Sequence, residues 1–207
     1  MKKFFVVLIL TLILFSSSAF AADAKTLLNS APLNPTLTGF EPCDKIVKET
    51  LSKITNEEMT TYDKVKACYD WLIINCSYGV NEEWTNYVTL KNFENYMGPI
   101  DAAGMLKGHT GVCDDYSCAF AALVRAIGLN CYTISGGTAR ADGKGMTGHT
   151  WTVIKINGTE YIFDPQIDDN IAKGGAIGYY RFCKTYEETP GSYANYRINK
   201  AFLPFEK

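Results

Sequence analysis

The run from Cys113 to Ile127 constrains this chain more than any other. Its interior, Phe120-Ala121-Ala122-Leu123-Val124, is apolar almost all the way round a helix. Such a helix has no face to offer to water, so it has to run through the middle of a domain with other elements packed on every side. Gly128 is a natural stop for it. Two further helices are predicted upstream. Asp44 to Ile54 carries Ile46, Val47, Leu51 and Ile54 at helical spacing, and Thr61 to Ile74 carries Tyr62, Val65, Tyr69, Leu72 and Ile73. Thr60 with Asp63 is a capping signal for the second. Downstream the pattern turns to strands: Asn130 to Ile134, Thr150 to Ile156 and Thr159 to Phe163. Asn157-Gly158 joins the last two as a two-residue hairpin. Helices followed by strands, without an internal repeat, predict one α+β domain in which a central buried helix packs on an antiparallel sheet.

The rest is less patterned. Residues 22 to 41 read as an irregular lead-in, with Pro32, Pro35 and then Pro42 as breakers. Residues 80 to 110 have no clear period, although Asp101 to Leu106 suggests a turn or two of helix. Gly136 to Gly148 reads as a mobile Gly-rich loop, and Gly178 to Phe182 as one more strand. That loop lacks the lysine and the strand–loop–helix order of a phosphate cradle.

The first residues read as a targeting segment. Lys2 and Lys3 precede the apolar run Phe4 to Phe15, and Ala19-Phe20-Ala21 fits a small-residue cleavage site. This predicts a secretory signal cleaved after Ala21 and an extracytoplasmic protein. The run is short for a membrane span, which needs about 20 residues, and nothing later is apolar enough, so no stable membrane insertion is expected after cleavage. The expected organisation is a signal over 1–21, a lead-in and helix over 22–55 acting as a cap or pro-segment, and a catalytic-type core over 56–207. Losing Lys2 and Lys3, with no acid beside them, takes the formal charge from −2 to −4. That mild negative balance gives no support for nucleic-acid binding.

Seven cysteines in a chain of this length are many, and the number is odd. Export permits disulfides. Cys43, Cys68, Cys76, Cys118, Cys131 and Cys183 are then either six paired residues around one free thiol or small buried hydrophobes. Cys113 stands apart, because it opens the central helix. A thiol there feels the positive end of the helix dipole, which favours the thiolate, and the free backbone N–H groups can receive an oxyanion. Asp114 and Asp115 in the same turn are favourable dipole partners and receive no catalytic role.

The hairpin supplies the geometry for two partners. A two-residue turn at Asn157-Gly158 sets Ile156 opposite Thr159, Lys155 opposite Glu160 and Val153 opposite Ile162, a register supported by the charged pair and the apolar pair. Continued outward it sets Trp151 opposite Asp164 and His149 opposite Gln166. His149 and Asp164 then become diagonal neighbours on one face, with α-carbons roughly 7–8 Å apart. A slip of one residue would separate them. Cys113 as nucleophile, His149 as base and Asp164 as the group that orients the base make a coherent thiol site. His109, the other histidine, reads better as a solvated loop residue than as a zinc ligand with Cys113 and Cys118, since no Cys-x-x-Cys pair accompanies it.

Four spaced motifs carry a resemblance. Gly-Val-Cys-x-x-Tyr-Ser at 111–117, Gly-x-x-Cys-Tyr-Thr-Ile-Ser-Gly at 128–136, Gly-His-Thr-Trp at 148–151 and Tyr-Ile-Phe-Asp-Pro at 161–165, in this order, resemble the transglutaminase-like superfamily of papain-type cysteine enzymes. The helix and turn from Tyr62 to Tyr78 resemble the segment that precedes its catalytic core, so the likeness spans about residues 57 to 170. It implies a papain/transglutaminase-like core, Cys113, His149 and Asp164 in the roles above, and no metal or organic cofactor. The implied activity is cleavage or transfer of amide acyl groups through a Cys thioester, as a peptidase, amidase or protein-glutamine acyltransferase acting on a protein, peptide or cell-wall peptide. The alternative is a non-catalytic protein- or cell-wall-binding module that retains the fold. The chain departs from many bacterial members at Asp114-Asp115, at Ser117 and at Thr152. Trp84 and Tyr96 are residues of the kind that supply a second oxyanion donor, or else core packing.

Overall fold

The computed structural model describes residues 23–82 and 93–204. The expected signal segment and Trp84 lie outside the described residues. Among the described residues six α-helices precede or flank a five-stranded antiparallel sheet: α1 (Ala24–Ser30), α2 (Glu41–Ile54), α3 (Thr61–Asn75), α4 (Met97–Gly108), α5 (Cys113–Ile127) and α6 (Pro165–Ala172). The strands β3 (Cys131–Ala139), β4 (Met146–Ile156), β5 (Thr159–Phe163), β6 (Phe182–Lys184) and β7 (Tyr193–Ile198) lie in the order β6-β5-β4-β3-β7. Two short segments, β1 (Ser77–Tyr78) and β2 (Thr110–Gly111), pair in parallel just before α5. Among the described residues no helix is long and apolar enough to cross a membrane.

The α+β expectation holds, and α5 occupies the position its composition demands. Residues from Asp115 to Val124 are all buried. Helices α2, α3, α4 and α6 cover it on one side, and β3 and β4 on the other. On β4 the alternate residues Ile154 and Ile156 pack into this main core, whereas Trp151 and Val153 join Tyr132, Ile134, Ile162 and Tyr193 in a second apolar cluster. That is the two-sided alternation of a strand buried on both faces. Leu28, Cys43 and Val47, from α1 and α2, are buried in the same main core as α5.

Several elements differ from expectation. The lead-in contains α1, capped by Asp23, whose side chain accepts from Thr26 N. Helix α2 starts at Glu41 rather than Asp44, because Pro42 sits in its first turn, where a missing N–H costs nothing. The stretch around Asp101 extends to the twelve-residue helix α4, buried through Ile100, Ala102, Ala103, Met105 and Leu106. Gly136 to Gly148 is mostly strand: Gly136 pairs with His149, Gly137 with Gly148 and Ala139 with Met146, leaving only a short turn over 140–145. The reason for Gly136 is steric. A Cβ there would lie 2.9 Å from the Trp151 ring and 2.8 Å from the Ala194 carbonyl oxygen. Here glycine marks close approach within a sheet, not a flexible loop. The strand expected at Gly178 to Phe182 forms instead at Phe182–Lys184, and β7 was not anticipated.

Candidate active site

The β4–β5 register is the one derived from the hairpin: Ile156 pairs with Thr159, Lys155 with Glu160 and Val153 with Ile162. The ladder stops at Thr152–Phe163, short of the extrapolated pairing of Trp151 with Asp164 and His149 with Gln166. Pro165 cannot donate to a ladder and is preset for a first helical turn, so the chain leaves the sheet at Asp164 and enters α6. Asp164 thereby becomes the N-cap of α6, its Oδ1 accepting from Ile167 N at 3.1 Å. Its other oxygen accepts from His149 Nε2 at 2.7 Å. Strand-ending residue and partner of His149 are one and the same position.

Both groups are enclosed, His149 at 7% exposure and Asp164 at 1%. Burial opposes charge on the imidazole. The negative charge of Asp164, its hydrogen bond and the contact with Cys113 outweigh that and hold His149 well above its ordinary 6.5. With Nε2 engaged by Asp164, Nδ1 is the ring nitrogen left over, and His149 lines the same cleft as Cys113. The Trp151 indole stacks alongside His149, 6.1 Å between centroids, and donates through Nε1 to Tyr186 Oη.

Cys113 is the first residue of α5 and is half-buried. The other six cysteines are buried free thiols, the small-hydrophobe alternative rather than the paired one. Burial pushes them up, Cys43, Cys76 and Cys183 to about 12. Asp115 holds the helix start: Val112 N donates to its Oδ2 at 2.8 Å and Asn81 Nδ2 to its Oδ1. Val112 has no oxygen to return the favour, so only half of a capping box exists. Asp114 Oδ2 lies 4.0 Å from Cys113 Sγ, and Asp114 Oδ1 accepts from Thr150 Oγ1 at 2.8 Å. Ser117 Oγ donates to the Thr150 carbonyl oxygen at 2.9 Å. Two bonds from the opening turns of α5 thus converge on Thr150, the neighbour of His149. They set the separation of thiol and imidazole. Asp114 and Ser117 thereby tie the start of α5 to β4. Ser117→Ala is expected to cost about 1 kcal/mol in urea unfolding and, on any substrate turned over, to lower kcat more than it changes KM.

The sequence reading missed Tyr193, on β7, whose Oη donates to Asp164 Oδ2 at 2.8 Å. Asp164 therefore accepts from three donors, and the negative charge it carries keeps the Tyr193 phenol, already buried, protonated. No local pattern points there, since the rest of β7 is mostly exposed. Tyr96 packs on Phe40 at 5.1 Å, and Tyr78 is the aromatic residue that lines the cleft with Cys113. His109 sits in the left-handed position that ends α4, its Nδ1 3.1 Å from the Asn75 carbonyl oxygen and its ring against Trp71.

The family model described as the transglutaminase-like superfamily matches residues 48–165, more than half of the chain. The chain belongs to that superfamily. The matched segment runs from the C-terminal part of α2 to the Pro165 that opens α6, so it contains Cys113, His149 and Asp164. Solved structures with similarity include a candidate cysteine protease from Cytophaga hutchinsonii, at 18% identity and a TM-score of 0.43 over 80% of this chain and 52% of that one. A TGase is similar at 18% identity and a TM-score of 0.38 over 61% of this chain and 31% of the other. A candidate protease from Parabacteroides distasonis is similar at 13% identity and a TM-score of 0.35, over 61% and 23%. This superfamily member spans about half, or less, of the length of each. No curated protein matches.

Proposed function

We propose that this superfamily member is an exported thiol enzyme that cleaves or transfers amide acyl groups, with Cys113 as nucleophile, His149 as acid and base, and Asp164 as the residue that orients it. The observation that carries the reading is the buried 2.7 Å contact between His149 Nε2 and Asp164 Oδ2, in a cleft that His149 shares with a thiol at a helix start. Cys113 Sγ attacks the carbonyl carbon of a substrate amide, and the oxyanion is received by free backbone N–H groups of the first turn of α5. His149 gives its proton to the leaving nitrogen, the C–N bond breaks and a thioester remains. A second nucleophile, its proton taken by His149, attacks that thioester and returns the thiolate. Water as that nucleophile makes a peptidase or amidase, the favoured outcome; a lysine amine makes a cross-linking acyltransferase. The substrates in view are a protein, a peptide or a cell-wall peptide.

The test is iodoacetamide labelling of the folded protein with mass mapping, beside incubation with a casein digest with and without a primary-amine donor. Cys113 is expected to label alone, and more slowly in His149→Ala, while the six buried thiols label only after unfolding. New amine termini indicate hydrolysis, and incorporated amine indicates transfer. An unreactive Cys113 together with neither product would leave a non-catalytic binding module in its place.

A further inference from the structure

The cleft that exposes Cys113 has a charge pattern opposite to that of the whole chain. Its volume is about 600 Å³. Beyond Cys113 and His149 the charged side chains lining it are Arg140, Lys173 and Arg181, and neither Asp nor Glu is among its lining residues. The chain itself is formally −2. Three cations in one concave wall of a mildly acidic protein focus a positive potential where a substrate must lie.

Arg181 carries the argument furthest. It is half-buried. Its Nη1 donates to the Tyr180 carbonyl oxygen at 3.1 Å, its Nη2 to Ser192 Oγ at 3.0 Å, and its guanidinium rests over the Tyr193 ring at 5.9 Å. The side chain is therefore held in place by neutral oxygens and a ring. Among the described residues no carboxylate is within ion-pair distance of Arg181 or Lys173; the ion pairs there include Lys66–Asp70, Arg140–Asp142, Lys184–Glu188 and His149–Asp164. The nearest anion is the buried Asp168, which accepts from the Arg181 backbone N–H at 3.1 Å and acts on the guanidinium only at a distance; a fork that is pre-positioned without an ion pair matches a carboxylate in geometry and charge. Lys173, exposed at the left-handed end of α6, adds a mobile point charge. Arg140 contributes least, because Asp142 lies 3.4 Å from its Nε.

We propose that Arg181, with Lys173 and Arg140, forms a carboxylate-binding subsite beside Cys113, so that the acyl donor is an anionic peptide that presents a side-chain or terminal carboxylate near the reactive amide. The subsite rests on the proposed acyl-transfer reading, but its electrostatics can be read without any turnover.

The experiment has two arms. In the first, Cys113 is alkylated with anionic iodoacetate and with neutral iodoacetamide, and the ratio of the two rates is compared among wild type, Arg181→Gln, Lys173→Gln and Arg140→Gln. The ratio is expected to fall ~3- to 10-fold in Arg181→Gln, less in Lys173→Gln and least in Arg140→Gln, and to fall in wild type as salt rises. Lys173→Gln alters an exposed side chain, so it still decides if Arg181→Gln fails to fold. In the second arm, peptide amides differ only in Glu against Gln beside the reactive amide, or in a free against an amidated C-terminus. The anionic member is expected to have the lower KM, and Arg181→Gln to erase the difference; which pair responds tells side-chain from terminal carboxylate. Equal alkylation ratios in all four proteins, or equal KM within both pairs, would overturn the subsite. If no peptide is turned over, the acyl-transfer reading falls, and the alkylation ratio still decides whether the cleft selects anions.

Discussion

Cys113→Ala is expected to abolish turnover, lowering kcat/KM on the order of 10⁴- to 10⁶-fold, while the protein keeps its fold. The two halves of this expectation have separate physical grounds. A methyl group cannot form a thioester, so what remains is the contribution of the oxyanion donors and binding. Stability is spared because the thiol is half-buried at the first position of α5, and its side-chain hydrogen bond among the described residues is the long 4.0 Å approach to Asp114. The bonds that seat the helix start belong to Asp114, Asp115 and Ser117, and they survive the substitution. Measuring kcat/KM and the thermal midpoint on the same preparation checks both. Cys118→Ser is the informative contrast: it places a hydroxyl among fully buried apolar side chains and should lower the midpoint without removing the nucleophile. A Cys113→Ala protein that still turned over substrate would remove Cys113 from the mechanism.

How far the sequence reached follows from which interactions are local. The central helix was legible because its composition alone forbids a water-facing side, and the hairpin because Asn157-Gly158 specifies a turn and the turn specifies a register. His149 and Asp164 were within reach in part for the same reason, since that register sets Thr152 opposite Phe163, the residue before Asp164. The path by which Asp164 gets there was not. Asp-Pro reads equally as the end of a strand and the start of a helix, and the decision falls to whether Ile167 N finds an acceptor. The glycines at 136 and 137 read as loop because a single sequence does not show that Trp151 and β7 press on the first of them. Tyr193 was invisible for a stronger reason: β7 is a sheet edge without clean alternation, and its contact with Asp164 joins segments 29 residues apart. Cysteine counting also met its limit. Parity and the expected signal segment make pairing permissible, but only packing decides whether a thiol lies beside another thiol or among aliphatic side chains.

The second large effect concerns Asp164, where fold and chemistry share two oxygen atoms. Asp164→Ala is expected to cost about 3–5 kcal/mol of stability near pH 6, the scale for removing one partner of a buried ion pair. It is also expected to lower kcat by roughly 10³- to 10⁴-fold, the scale for losing the group that orients a catalytic histidine. The pH dependence follows from His149. Its folded-state value lies above the unfolded 6.5, so the pair's contribution is fully present below pH 6.5 and is lost as pH rises through the raised value. The difference between wild type and Asp164→Ala should therefore be largest near pH 6 and shrink toward pH 10. What remains there is the loss of three bonds, from the neutral imidazole's Nε2–H, from Tyr193 Oη and from Ile167 N, at about 1 kcal/mol each. Urea unfolding across that range reads the effect, and a pH-independent difference would mean that His149 is not charged in the folded protein. Asp164→Asn separates cap from charge. A carboxylate accepts on both oxygens, as three donors here require, whereas an amide accepts on one and donates on the other. Asparagine must then set an N–H against either Ile167 N or the His149–Tyr193 pair. It should fall between wild type and alanine in stability, yet lie near alanine in kcat, because no orientation of the amide restores the negative charge beside the imidazole.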